Sequence, residues 1–142
     1  MKAGKAESMA IWLGLLGLAP FALLALSVWS PPWRALALPA LLAYSALILS
    51  FLGGVRWGRA LEAGSPAQFV LAVLPSLYAL GALQAPPVAG LILLAAGFVG
   101  QWWLDVPADR MRAPAWFRRL RGWLTAGVLA CHLLALGPLL PG

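Results

Sequence analysis

From residue 9 to residue 29 the chain carries no Lys, Arg, Asp or Glu, and four more uncharged apolar runs follow at 35–55, 67–83, 88–104 and 123–140. A helix needs roughly 20 apolar residues to cross the ~30 Å hydrocarbon core of a bilayer, and about 17 to 25 are tolerated. In lipid a segment must satisfy its own backbone N–H and C=O groups, so runs of this kind are helices. The expected fold is an all-α integral membrane protein. It is a five-helix transmembrane bundle that makes one membrane domain of residues 1–142. With 63% of its residues hydrophobic and only 10% charged, a chain of 142 residues cannot hide its apolar side chains in one water-soluble core.

The breaks between runs have turn chemistry: Ser30-Pro31-Pro32, the stretch 62–66, Ala85-Pro86-Pro87, and the long polar stretch 105–122. Ser65 followed by Pro66 reads as an N-cap with proline at the first helical position. The third and fourth runs are the shortest and are joined only by the "QAPP" corner, so a re-entrant hairpin is the alternative to two full crossings.

Charge tests the layout, because orientation follows the Lys and Arg of short loops. Threaded as five crossings, one face receives Lys2, Lys5, Arg56, Arg59, Arg110, Arg112, Arg118, Arg119 and Arg121, and the other receives Arg34 alone. Changing the span count by one would send the arginines after Leu104 to the opposite side. The reading is a cytoplasmic N-terminus, held by a retained signal anchor, and an external C-terminus, in a multi-pass protein of the bacterial inner membrane. All four carboxylates, Glu7, Glu62, Asp105 and Asp109, fall on the basic side. The tryptophans fall at interface depth, Trp29 and Trp33 at one boundary and the remaining six at the other. The net charge of +6 then concerns orientation and anionic lipid headgroups on the cytoplasmic side, and no nucleic-acid partner is implied.

Three polar or small-residue patterns stand out. Over 114–122, Pro114 opens a stretch in which Trp116, Phe117, Leu120, Trp123 and Leu124 share one side while Arg118, Arg119 and Arg121 occupy much of the rest. That is the pattern of a short basic amphipathic helix lying in the headgroup plane before the fifth span, with those arginines contacting lipid phosphates. In "SALILSFLGGVRWGRA", Ser50, Gly54 and Gly58 are spaced by four, with Gly53 beside them, and form a small-residue ridge suited to close helix packing. Arg56 ends the second span and Asp105 the fourth at the same boundary. Arg56, or failing that Arg59 or Arg112, is expected to pair with Asp105; the competing arrangement has Arg56 snorkelling to a lipid phosphate.

Polar groups at mid-depth are few: Tyr44, Ser45 and His132, with Ser76 and Tyr78 nearby. An ionisable residue inside a membrane is a functional candidate. The plainer alternative is an imidazole sharing one hydrogen bond with Tyr44. Pro20, Pro39 and Pro75 interrupt three spans, where each removes a backbone donor and can open its helix. Cys131 stands alone in an apolar run and reads as a small core residue.

"YSALILSFLGGVRWGRA", followed by "QWWLD" and "PAWFRRLRGWLT", resembles the pattern of a family of small multi-span membrane proteins of unknown function that includes the eukaryotic transmembrane protein sixty-nine. The matching positions are Ser50, Phe51, Leu52, Gly53, Gly54, Trp57 and Gly58, then Asp105, Trp116, Leu120, Arg121, Leu124 and Thr125. The resemblance implies a multi-span bundle, found in bacteria and, through that relative, in a mitochondrial setting. It implies no activity, substrate or catalytic residue.

Enzyme signatures are absent: no HExxH, no Cys-x-x-Cys, no nucleophile elbow, no phosphate loop, no acidic pair at depth. A lone histidine cannot hold a metal or haem, so no cofactor is expected. The expected function is non-enzymatic, an accessory, assembly or scaffold component of a larger membrane complex, with a membrane-protein partner or a homo-oligomer. The second class is a small transporter or a lipid- or quinone-binding protein, which the prolines and mid-depth polar groups favour and the lack of an inverted repeat disfavours.

Overall fold

The computed structural model describes residues 2–107 and 113–141, with residues 2, 3 and 63 described by backbone only. Five α-helices follow one another: α1 (Lys2–Ser27), α2 (Pro31–Ala63), α3 (Pro66–Leu83), α4 (Pro87–Asp105) and α5 (Ala115–Leu136), and a 3₁₀ turn, Gly137–Leu139, closes the chain. All five contain windows long and apolar enough to cross a membrane. At a rise of 1.5 Å per residue the 18 residues of α3 extend about 27 Å, at the short end of the length a crossing needs.

Proline opens three of these helices at a position where its missing N–H costs nothing. Ser65 has the extended backbone of an N-cap, although its hydroxyl makes no capping bond. Gly64 ends α2 in the left-handed region at φ 65°, its N–H bonded to the Ala60 carbonyl at 2.9 Å. That conformation is cheap only for glycine, and it lets α3 return along α2 after two residues.

Short connections make consecutive helices antiparallel neighbours, with α2 packed on α1, α3 and α4, and α5 packed on α1 and α4. The buried stripes have helical spacing. α3 contributes Ala72, Pro75, Ala79 and Ala82; α4 contributes Gly90, Leu91, Leu94, Phe98, Gln101 and Asp105; α5 contributes Leu120, Arg121, Thr125, Val128, His132 and Ala135. The stripe of α3 is built from small residues, so its backbone can approach α2 closely. The contact falls on Gly53, where an added Cβ would lie 2.4 Å from the Ala72 carbonyl oxygen.

This shifts the small-residue ridge read from the sequence. Gly54 and Gly58 are exposed, with no atom within 4 Å of an added Cβ, and Ser50 is half-buried. The packing line of α2 runs through Leu49, Gly53, Arg56 and Ala60 instead. Both faces of α2 are apolar and both carry glycine, so spacing by four does not choose between them.

The stretch 114–122 also differs from expectation. It forms no separate helix in the headgroup plane, because α5 is continuous from Ala115 to Leu136 and its stripe Leu120, Arg121, Thr125, Val128 turns inward from the start. Pro20, Pro39 and Pro75 lie inside α1, α2 and α3. At the end away from the cluster of charges, Trp29 donates its indole N–H to the Leu134 carbonyl at 2.9 Å, and Arg34 donates Nε–H to the Val28 carbonyl at 2.9 Å.

Candidate functional site

At the end of the bundle where α2 and α4 finish and α3 and α5 begin, four helices deliver polar side chains to one point. Arg56, Asp105 and Arg121 are 1%, 5% and 6% exposed. A charge this deep needs partners, since an unpaired one costs several kcal/mol. Asp105 has them. Its Oδ1 accepts from Arg56 Nη2 and its Oδ2 from Arg121 Nη2 at 3.0 Å. Gln101, one turn earlier on α4, points its Nε2 at Oδ1 and Oδ2 at 3.2 and 3.1 Å. Arg56 Nη1 donates to Gln68 Oε1 on α3 at 2.7 Å. Among the described residues this cluster holds two guanidinium groups for one carboxylate.

The structure therefore brings Arg56 and Asp105 together. It also brings in Arg121, which the sequence reading had assigned to lipid headgroups; the inward phase of α5 carries its side chain to Asp105. Arg119 is exposed, and Arg118 is half-buried. Arg59 is half-buried and the fallback partner Arg112 lies outside the described residues. Gln68 and Gln101 were missed. The available signals were the i, i+4 spacing of Gln101 and Asp105 and the tight Gly64 turn, which places Gln68 level with the end of α2.

At mid-depth His132 meets Ser45 rather than Tyr44. Ser45 Oγ lies 3.1 Å from His132 Nε2 and 2.7 Å from the Leu41 carbonyl. His132 Nδ1 faces the Val128 carbonyl at 2.8 Å. With the ring proton on Nδ1, His132 donates to the Val128 carbonyl, and Nε2 then takes the single Ser45 hydroxyl proton in place of the Leu41 carbonyl, with the Phe21 and Phe98 rings 6.0 and 5.9 Å away. Tyr44 instead donates to the Gly17 carbonyl at 2.9 Å, tying α2 to α1. Ser45→Ala leaves Nε2 buried without its partner and should cost about 1–3 kcal/mol on unfolding by detergent titration, with no change in oligomeric state. An unchanged midpoint would show that the contact carries no stability.

Among the described residues no group of three or more His, Cys, Asp or Glu is placed to hold a metal ion.

The family model described as "Protein of unknown function (DUF3429)" matches residues 6–137. Transmembrane protein 69 of Xenopus tropicalis is 37% identical over 131 residues, which covers 84% of this chain and 50% of that protein, so the chain spans about half the length of the curated relative it matches. No solved structure matches the chain. That relative corrects the expected localisation: it is a eukaryotic transmembrane protein, so multi-pass membrane character stands and the bacterial inner membrane is withdrawn. Hydropathy and charge bias register a bilayer and its two sides, but not whose membrane it is. From the match over residues 6–137, the chain belongs to the membrane-protein family of unknown function DUF3429.

Proposed function

We propose that this protein is a non-enzymatic accessory or scaffold component of a larger membrane complex, with the basic end of the bundle facing the cytoplasm. The observation that carries the reading is the outward face of α2. Leu47, Gly54, Gly58 and Leu61 lie along it, all exposed, and both glycines have open space above them. Lipid chains fill such a surface poorly, whereas a second helix can approach the bare backbone and gain van der Waals contact. Arg56, Asp105 and Arg121, by contrast, are turned inward and, with Gln68, hold α2, α3, α4 and α5 together. They act as a fastening, and the working surface is the lipid-facing one. Its partner is another membrane protein or a second copy of the chain.

Purification from the native membrane in mild detergent tests this. Wild type should elute with a stoichiometric partner or as an oligomer. Gly54→Leu and Gly58→Leu should release the chain while leaving its own unfolding midpoint unchanged. Elution of wild type as a single chain with lipid alone would overturn the reading. Reporter fusions after residue 142 and between residues 107 and 113 should report opposite sides, with the second one cytoplasmic; the same side for both would overturn the orientation.

A further inference from the structure

We propose that the groove between α1, α2 and α5 binds one anionic phospholipid, its phosphate on Arg121 and Thr125 and one acyl chain along the groove. The groove encloses about 370 Å³, within the range of small-molecule sites. Its walls are apolar, with Gly14, Gly17, Phe21, Ile48 and Leu124 among them, and its polar lining is Asp105, Arg121 and Thr125.

Three observations converge on the ligand. First, charge: the cluster at the head of the groove has two guanidiniums for one carboxylate among the described residues, and both carboxylate oxygens already accept from Arg56, Gln101 and Arg121. Among the described residues the cluster is one anion short. Second, an unspent donor: Thr125 is 6% exposed, lines the groove, and its Oγ1 has no hydrogen-bond partner among the described residues. A buried hydroxyl without a partner is costly unless a ligand completes it. It lies four residues from Arg121, one turn along the same face, so hydroxyl and guanidinium can hold one phosphate. Third, depth: Arg121 is near the start of α5, and Val128, at the far end of the groove lining, is seven residues or about 10 Å deeper. The polar end is thus at headgroup level and the apolar end runs towards mid-bilayer, the direction of an acyl chain. A quinone, neutral at its head, would leave the charge excess unanswered.

The test uses the full chain in maltoside micelles, with phosphatidylglycerol, phosphatidylcholine of the same chains, a free fatty acid, or inorganic phosphate added, read by thermal unfolding and by native mass spectrometry. Phosphatidylglycerol should raise the midpoint by several degrees and remain bound as one lipid per chain, because a ligand that binds only the folded state stabilises it. The other three should give little. Gly17→Leu fills open space in the groove, as no atom lies within 4 Å of its added Cβ, and leaves the charge cluster intact. Thr125→Val removes only the unpartnered hydroxyl. Both should weaken phosphatidylglycerol binding by about tenfold or more, while the lipid-free midpoint holds for Gly17→Leu and holds or rises for Thr125→Val, which no longer buries an unpartnered hydroxyl. Gly81→Leu, also in open space but on α3, should bind as wild type does. Equal shifts with phosphatidylcholine, a full shift with phosphate or fatty acid, or undiminished binding by Gly17→Leu would each overturn the proposal.

Discussion

Asp105→Leu should lower the unfolding free energy of the isolated chain by about 3–5 kcal/mol, the range for removing one partner of a buried ion pair. The substitution leaves Arg56 and Arg121, both buried, facing a position with no acceptor. Detergent titration of the purified protein measures the loss. Two multiple variants then separate a three-body cluster from a simple pair. The swap Arg56→Asp with Asp105→Arg would restore a two-body bridge, but here it sets a new arginine against Arg121, so little recovery is expected. Replacing all three together, Arg56→Met, Asp105→Leu and Arg121→Met, should recover most of the loss, since apolar substitution of a whole buried ionic group is often neutral or stabilising. A loss below about 1 kcal/mol for Asp105→Leu would mean that water or lipid already satisfies the guanidiniums, as at an exposed pair.

The second large effect belongs to a glycine. Gly53→Ala should destabilise the isolated chain by about 1–3 kcal/mol, as overpacking does in a close-packed interior. Its Cβ would stand 2.4 Å from a backbone oxygen of α3, which cannot rotate away as a side-chain tip could. Gly54→Ala, one residue further on and in open space, should stay within about 0.5 kcal/mol of wild type. If the two variants lost equal stability, the placement of the α2–α3 contact on Gly53 would be wrong.

That one-residue difference shows what kind of information the chain carries on its surface. The existence of five apolar helices is legible because lipid demands length and hydrophobicity and because Ser-Pro, Gly-Ser-Pro and Ala-Pro-Pro interrupt them. The meeting of Arg56 and Asp105 is legible too, since each follows the end of an uncharged apolar run at one boundary and opposite charges there seek each other. Rotation about each helix axis is what stays hidden. In a water-soluble helix the polar face announces which side is out, whereas here lipid and core are both apolar, so Gly53 and Gly54 look alike and the basic run "RRLR" does not declare that Arg121 is its buried member. Gln68 and Gln101 were invisible for a related reason: a neutral amide at a helix end is unremarkable until a buried charge requires it. His132 could be placed at mid-depth by counting, but its choice of Ser45 over Tyr44 depends on which way α2 is turned.

The order in which the ribosome delivers the chain gives the charge cluster a further meaning. Arg56 enters the membrane with the second helix, and only Gln68, twelve residues later, is at hand for it. Asp105 arrives two helices afterwards and Arg121 last of all. During that interval Arg56 must reach towards the headgroups, as long cationic side chains do at helix ends. Its carboxylate partner comes only with α4, and the second guanidinium on that carboxylate only with α5. A chain cut between residues 68 and 105 thus carries Arg56 without the carboxylate it pairs with in the folded bundle.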